Sequence, residues 1–315
     1  MKVKPPSIGV SRRGFLVAVP ILGCSLTELF RTDTLAARPQ LTDAIRYEIR
    51  GKLLELVNAE RFQAGVNDLE NDDLAHRVAT AHATDMATGD FVSHWGRNGL
   101  KPYHRYSFAG GIHAIQENVA SIDNFFSADW KDLANDLIFL HVRMHSEKPP
   151  RDGHRRTILS PQHTHVGFGF ATNQRRLRLV EIYVAKYLEV SGFKSRAERD
   201  EKFYLSGRLL NNQHSLQQID IFYEPLPVAR AEGAPAREGS YGLPEEYETL
   251  RPRLKGRWHY ADGSKGVIDL EDNGRFSVSI KLFRSEPAIY TIVFWVKKKP
   301  GEKPFPATQI CIESG

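Results

Sequence analysis

Three short segments carry side chains that could do chemistry. His94 stands in Phe91-Val92-Ser93-His94-Trp95-Gly96, Glu117 opens Glu117-Asn118-Val119-Ala120, and His154 follows the first glycine of Gly153-His154-Arg155-Arg156-Thr157-Ile158-Leu159-Ser160-Pro161. Each places an imidazole or carboxylate beside glycine, a small polar residue or a hydrophobic anchor. A neutral imidazole can bind zinc or another divalent ion through a ring nitrogen. An imidazole beside a carboxylate can instead move protons as a general acid and base. His94 and His154 alone make an incomplete zinc site, which needs a third ligand or water. No nucleophile accompanies them. There is no Gly-x-Ser-x-Gly elbow, and Ser93 and His94 are adjacent in an extended segment, so their side chains point apart. His141 and His145 have helical i, i+4 spacing but lack the glutamate that a His-Glu-x-x-His protease motif requires. His145, His163 and His165 are assigned surface or packing roles.

The elements that must position these residues follow from periodicity. Ile45, Ile49, Leu53, Leu56 and Val57 recur at helical steps, predicting a helix over 41–63. Leu74, Val78, Ala81 and Met86 predict a second over 73–87, ended near Gly89. Residues 91–111 are rich in Gly, aromatic and basic residues and read as an active-site-like loop. Leu133, Leu137, Ile138 and Leu140 predict a helix over 130–144. A Pro- and Gly-containing loop over 147–153 precedes a short helix or turn at 155–159. Residues 166–170 and 177–187 read as strands, the first alternating glycine with apolar residues, as close packing demands.

Taken in order and spacing, the three segments resemble the CAP superfamily (also SCP or PR-1-like) in its short bacterial form. Leu53 to Arg61 is similar to that family's opening helix, and His94 to Arg105 is close to its central loop. The resemblance covers about 45–189 and implies an α+β fold, a three-layer α-β-α sandwich. It also implies a cleft lined by two histidines and two glutamates, here His94, Glu117, His154 and, by position after the aromatic helix end, Glu147. His94 and His154 are its candidate metal ligands, for zinc or a similar ion; no cofactor is required. Most members of the family have no assigned catalysis, so the resemblance favours binding.

The flanks complete the organisation. Ser11-Arg12-Arg13-Gly14-Phe15-Leu16, with Lys2 and Lys4 before it and an apolar run over 15–22, has the twin-arginine pattern of an export signal over 1–37. Two cleavage points compete. Ile21-Leu22-Gly23-Cys24 resembles a lipobox, which would acylate Cys24; Thr34-Leu35-Ala36-Ala37 would release a free protein. The only other cysteine is Cys311, so a disulfide cannot staple the mature chain if Cys24 is lost or acylated. A CAP-like domain over 41–190 is expected to lead through a charged linker, 191–202, into an all-β domain over 203–315, read as an immunoglobulin-like sandwich from its β-branched runs and its Asp262-Gly263 and Asn273-Gly274 turns. A net charge of +5 with acidic residues interspersed, and no nucleic-acid motif, excludes a nucleic-acid partner.

The chain thus reads as a bacterial protein exported by the twin-arginine route to the periplasm, cell surface or medium. It binds a lipid or cell-envelope component, or a divalent metal, in a His/Glu cleft and uses its β-domain for attachment or partner docking. It touches the membrane peripherally only if Cys24 is acylated. The alternative is a metal-assisted hydrolase, a peptidase or nuclease, using the same residues.

Overall fold

Asp72 starts the helix that governs the first half of the molecule. In this computed structural model, which describes residues 41–125, 129–173, 175–231 and 233–315, its carboxylate accepts from Ala75 N at 2.6 Å and caps a helix over Asp73–Thr88. The export signal and Cys24 lie outside the described residues, which belong to one compact unit.

The helices are α1 (Asp43–Gln63), α2 (Asp73–Thr88), α3 (Pro102–Phe108), α4 (Trp130–His145) and α5 (Gly153–Ile158). The strands β1 (Glu70–Asn71), β2 (Ala114–Asp123), β3 (His165–Asn173) and β4 (Arg176–Ala185) form a sheet in the order β1-β3-β4-β2. Both β2 and β3 run antiparallel to β4, and β1 is parallel to β3. β4 is buried from Leu177 to Ala185 because helices cover both faces. Leu177, Leu179 and Tyr183 meet α1 and α4 through Leu53, Val57 and Leu137. Val180, Ile182 and Val184 meet α2 and α3 through Ala79, Met86 and Tyr106. This period-two split gives the three layers the resemblance implies.

Two expectations need correction here. The segment 91–111 is not all loop, since α3 lies inside it; Pro102 starts the helix at the position proline tolerates, and Tyr103 and Tyr106 bury its inner face. The strand β2, which carries Glu117, was also not anticipated, because its buried residues come as the adjacent pairs 114–115 and 117–118 around exposed Gln116 instead of alternating.

The second half contains β5 (Leu188–Ser191), β6 (Arg196–Ala197), β7 (Lys202–Leu209), β8 (Ser215–Pro225), β9 (Tyr247–Leu250), β10 (Asp269–Leu270), β11 (Arg275–Lys281), β12 (Ala288–Lys297), β13 (Phe305–Pro306) and β14 (Ile310–Ser314). One sheet has the order β10-β11-β7-β5 and the other β6-β14-β12-β8-β9, with β13 on β12. Neighbours are antiparallel except β6 with β14. Leu205, Phe276 and Ile280 of the first sheet share a core with Ile219, Ile292 and Phe294 of the second. The Asn273-Gly274 turn joins β10 to β11, with Gly274 at φ 82 where other residues would be strained.

Within the expected linker over 191–202, Arg196–Ala197 pair as β6, and the ends of β5 and β7 adjoin it. Residues 307–309 lie along β2: Ala114 N donates to Ala307 O at 3.1 Å, and Ile115 N donates to Gln309 Oε1 at 2.8 Å. Cys311 of β14 is buried in the core beneath α3, and its N–H donates to Ser107 Oγ at 2.7 Å.

The alternating glycines of β3 set how closely α2 approaches the sheet. A Cβ on Gly169 would stand 2.0 Å from the Ala79 carbonyl carbon, and one on Gly167 would stand 2.4 Å from that of Ala75. Backbone cannot yield as a side chain can. Gly169→Ala is therefore expected to destabilise the chain by about 1–3 kcal/mol, read as a lowered urea midpoint; an unchanged midpoint would show that the helix can ride up at no cost.

Candidate functional site

Glu117 points from β2 into the layer of α2 and α3, and its side chain is fully buried. Arg105 of α3 donates from Nη2 to Glu117 Oε2 at 2.6 Å and from Nη1 to the carbonyls of His94 and Leu100 at 2.7 and 2.8 Å. His94 follows the buried anchor Phe91 and brings Nδ1 to 2.9 Å from Glu117 Oε1. His82 of α2 stands behind, with Nε2 2.8 Å from Ser93 O and 4.0 Å from Glu117 Oε1. Burial alone would raise the Glu117 pKa, but Arg105, then His82 and His94, hold it down to about 2. Burial and the Arg105 charge push His82 down to about 4, so it stays neutral.

His154 lies in the first turn of α5, and Glu147 just beyond the end of α4. His154 Nδ1 is 2.6 Å from Glu147 Oε1, and its backbone N–H donates to Glu147 Oε2 at 3.1 Å. Asn118, next to Glu117 in sequence, donates from Nδ2 to His154 O at 3.3 Å and so ties one couple to the other. All four candidate residues, His94, Glu117, Glu147 and His154, line one open cavity of about 860 Å³.

The cavity has a wall from the C-terminal β-sheet region that the sequence did not reveal. In the β8–β9 connection, Tyr241 accepts from Glu117 N at 2.6 Å and sets its ring edge-on to His94, centroids 4.8 Å apart. Arg237 lies over Trp95 at 5.0 Å, and its carbonyl accepts from Ser93 Oγ at 2.5 Å. Arg105 falls within the quoted family-like segment but carried no assigned role. His82 is masked by the alanine-rich face of α2. Tyr241, lying 124 residues from Glu117, left no local signal.

The other histidines divide as expected, with one addition. His163 lines the cavity, yet its Nδ1 is 3.0 Å from Thr157 O, and burial pushes it down to about 3. His165 sits at the sheet edge, 3.6 Å from Glu70. His145 joins a buried chain under the cleft: its Nδ1 is 3.0 Å from Glu60 Oε1, Glu60 Oε2 is 2.8 Å from His141 Nε2, and His141 Nδ1 is 2.6 Å from Glu181 Oε1. Asn118 and Tyr183 also donate to Glu181. Burial would lower the His141 pKa, but Glu181 and Glu60 outweigh it and carry it up to about 10.

In each couple the carboxylate must accept, so Nδ1 carries the proton and Nε2 is the lone-pair nitrogen of a neutral ring. That is how a carboxylate orients a metal-binding histidine. The ligand count does not follow: among the described residues no group of three or more His, Cys, Asp or Glu side chains could hold a metal ion. The donor set falls short of a closed four-ligand zinc site, and no chemistry is assigned to a metal here.

Part of the chain is similar to known proteins. Residues 54–187 match the CAP model, the cysteine-rich secretory protein family. The chain is 29% identical over 141 residues to the uncharacterized protein YkwD of Bacillus subtilis (strain 168), covering 44% of this chain and 48% of the relative. The match thus spans about half the length of that curated relative. Among solved structures, it is similar to an extracellular SCP-domain protein from Bacillus anthracis, at 19% identity, 48% coverage of this chain, 45% of that one, and a TM-score of 0.35. It is also similar to an outer surface protein from Borrelia burgdorferi, at 18% identity, with 44% and 92% coverage and a TM-score of 0.35.

The two buried clusters set opposite pH limits. Glu117 has a depressed pKa, so its stabilisation is present above its ordinary 4.5 and is lost as pH falls toward about 2. His141 has a raised pKa, so its stabilisation is present below 6.5 and is lost as pH rises through about 10. Glu117→Gln leaves Arg105 without its partner charge and is expected to cost about 3–5 kcal/mol at neutral pH. The difference between wild type and variant should shrink between pH 4.5 and 2. Urea midpoints across pH check both limits; a difference that stays constant on acidification would mean that Glu117 does not titrate in this window.

Proposed function

We propose that this chain is an exported CAP-domain protein that binds a component of the cell envelope carrying both polar and apolar groups in the cavity between its CAP sheet and the β8–β9 connection, with the β-domain serving attachment. The observation that carries this reading is the cavity itself. At about 860 Å³ it lies within the range of ligand sites, roughly 300–1,000 Å³. Gln116, Asn118, Arg151, Gln162 and Gln309 offer polar groups beside the two His–Glu couples, while Ile115, Leu243, Phe305 and Pro306 offer apolar surface, so the cavity suits a ligand with both polar and apolar parts.

Binding is favoured over hydrolysis by what the carboxylates already do. A general base works best with a pKa near the working pH, and Glu117 is held at about 2 by Arg105 and its neighbours. Among the described residues no Ser, Thr or Cys side chain hydrogen-bonds to the ring of His94 or His154, whose Nδ1 atoms face Glu117 and Glu147. The Cys311 thiol is fully buried and pushed up to about 12, so it is no nucleophile. The similarity to extracellular and outer-surface proteins supports export, and no helix among the described residues is long and apolar enough to cross a membrane. The twin-arginine pattern proposes the route, and Cys24 the anchor if the first cleavage site is used.

The strand order supports an immunoglobulin-like reading of the β-domain. Taking β5, β7, β10 and β11 as A, B, D and E, the first sheet runs A-B-E-D. Taking β8, β12 and β14 as C, F and G, the second has C-F-G neighbours, with β9 as an added strand beside C.

A cell-wall glycopeptide digest, titrated against wild type and His94→Ala plus His154→Ala, tests the proposal. Affinity is expected to fall at least about tenfold in the variant, equivalent to about 1.4 kcal/mol, with the digest recovered chemically intact. Equal affinity would place binding elsewhere. Cleavage of the digest that depends on His94 and His154 would replace the binding reading with the hydrolase.

A further inference from the structure

One feature of the β-domain is held firmly yet unused by its core. Residues 251–268, between β9 and β10, bond to themselves. Leu254 N donates to Lys265 O at 2.8 Å, Tyr260 N to Ser264 O at 2.8 Å, and Val267 N to Arg251 O at 2.9 Å. Tyr260 turns back, its hydroxyl donating to Pro252 O at 2.8 Å, and Arg251 lies 5.1 Å over its ring. Ile268 is buried and ties the loop to the shared core. The far part of this loop carries Trp258 with 71% of its surface exposed, and Val267 with 47%. An indole is among the largest apolar surfaces a chain can bury, and here folding buries little of it.

The loop itself is cationic, and three carboxylates, Asp269, Glu271 and Asp272, follow directly after it. Residues 251–267 hold five cations, Arg251, Arg253, Lys255, Arg257 and Lys265, and one carboxylate, Asp262. Asp262 is already engaged by Arg251 at 2.6 Å and by Ser264 N at 2.9 Å. Arg253 and Lys255 meet only the exposed carboxylates Asp269 and Asp272, at 2.7 and 3.1 Å. Exposed pairs of this kind are weak and exchange readily for other anions. Arg257 and Trp258 are exposed neighbours, and Arg257 makes no ion pair among the described residues.

We propose that this loop is a docking element for an anionic bilayer surface, with Trp258 entering the headgroup region and Lys255, Arg257 and Lys265 meeting lipid phosphates. Trp is favoured at that interface because one side of its ring system is apolar and its N–H can be solvated. Juxtaposed Lys and Arg add attraction to an anionic leaflet, about fivefold in affinity for each cation near the surface. The same residues fit other occupants poorly. A sugar face needs acceptors for its hydroxyls, and the loop's only carboxylate is taken. A second copy of the loop would bring like charge against like charge. The proposal rests on the attachment role given to the β-domain, and identifies the surface to which it attaches.

The test uses the full chain carrying Cys24→Ser, so that no acyl chain contributes. It is co-sedimented with vesicles of phosphatidylcholine, alone or with phosphatidylglycerol. Wild-type loop sequence is expected to bind the anionic vesicles, more weakly as salt rises, and Arg257→Ala plus Trp258→Ala to bind at least about tenfold less. Both side chains are exposed, so unfolding midpoints should match and serve as the control. Equal binding by the two proteins, or no preference for anionic over neutral vesicles, would overturn the loop's role. A parallel sedimentation with whole envelopes separates this from failure of the attachment reading: envelope binding without vesicle binding keeps attachment and discards the bilayer, while loss of both discards attachment too.

Discussion

A carboxylate with no access to water has to be matched by charge and hydrogen bonds, and Glu117 draws them from two separate stretches of chain. Arg105 of α3 and His94 of the loop before it bond its oxygens, while neutral His82 of α2 stands 4.0 Å away and Tyr241 of the β8–β9 connection accepts from its backbone N–H. Desolvating an ion costs more than most single contacts return, so such a site tolerates little misplacement of any partner. Arg105 uses its planar fork on both sides of the problem, one nitrogen on the carboxylate and the other on the backbone of His94 and Leu100. The side chain of His94 and its backbone are therefore referenced to the same ion pair. The central loop, α3 and the roof of the cavity keep their places because this charge must stay compensated.

The opposite side of the sheet repeats the solution with the charges exchanged. There the central ion is the imidazolium of His141, held between Glu181 on β4 and Glu60 on α1. Period two along β4 explains how both clusters coexist: Glu181 faces α4 with Leu179 and Tyr183, while Val180 and Ile182 face α2 and α3. Asn118 bridges them, because it follows Glu117 on β2 and so points to the other face. From there it reaches Glu181 and the carbonyl of His154. The two halves of the candidate site are thus fixed from beneath by two buried ionic clusters joined through one amide.

Much of this was legible in the sequence, and what was not has specific causes. Helices α1, α2 and α4 announced themselves because each buries one face at helical spacing. The glycines of β3 announced close packing. Glu147 was named through the resemblance alone, from its position after the aromatic end of α4. The strand β2 was missed because its first half buries residues in adjacent pairs and its second half is only partly buried, so it shows no alternation. Within the expected linker, β6 was missed because charge and glycine describe exposed edge strands as well as tethers; it pairs through its backbone, which composition does not encode. Tyr241 was missed because a contact made across two domains has no period. His82 was missed because a buried histidine on an alanine-rich face looks like packing until the carboxylate it faces is known.

The two His–Glu couples look equivalent in sequence, but their surroundings make them different tools. In the first, the Glu117 side chain has no exposure and His94 has 16%, and Arg105 and Tyr241 leave the ring little freedom. In the second, Glu147 has 26% exposure and His154 has 34%; Glu147 holds the ring, and the backbone of that segment is held by Glu147 and Asn118. Glu147 also lies in a short connection between α4 and α5 rather than on a strand. A ligand in the proposed cavity would meet one imidazole whose position is set by the core and one that is more exposed. Because His94 is already held in the free protein, such a ligand would lose less side-chain freedom than one that had to order both rings. The roof shares this asymmetry, since Tyr241 packs on the ring of His94.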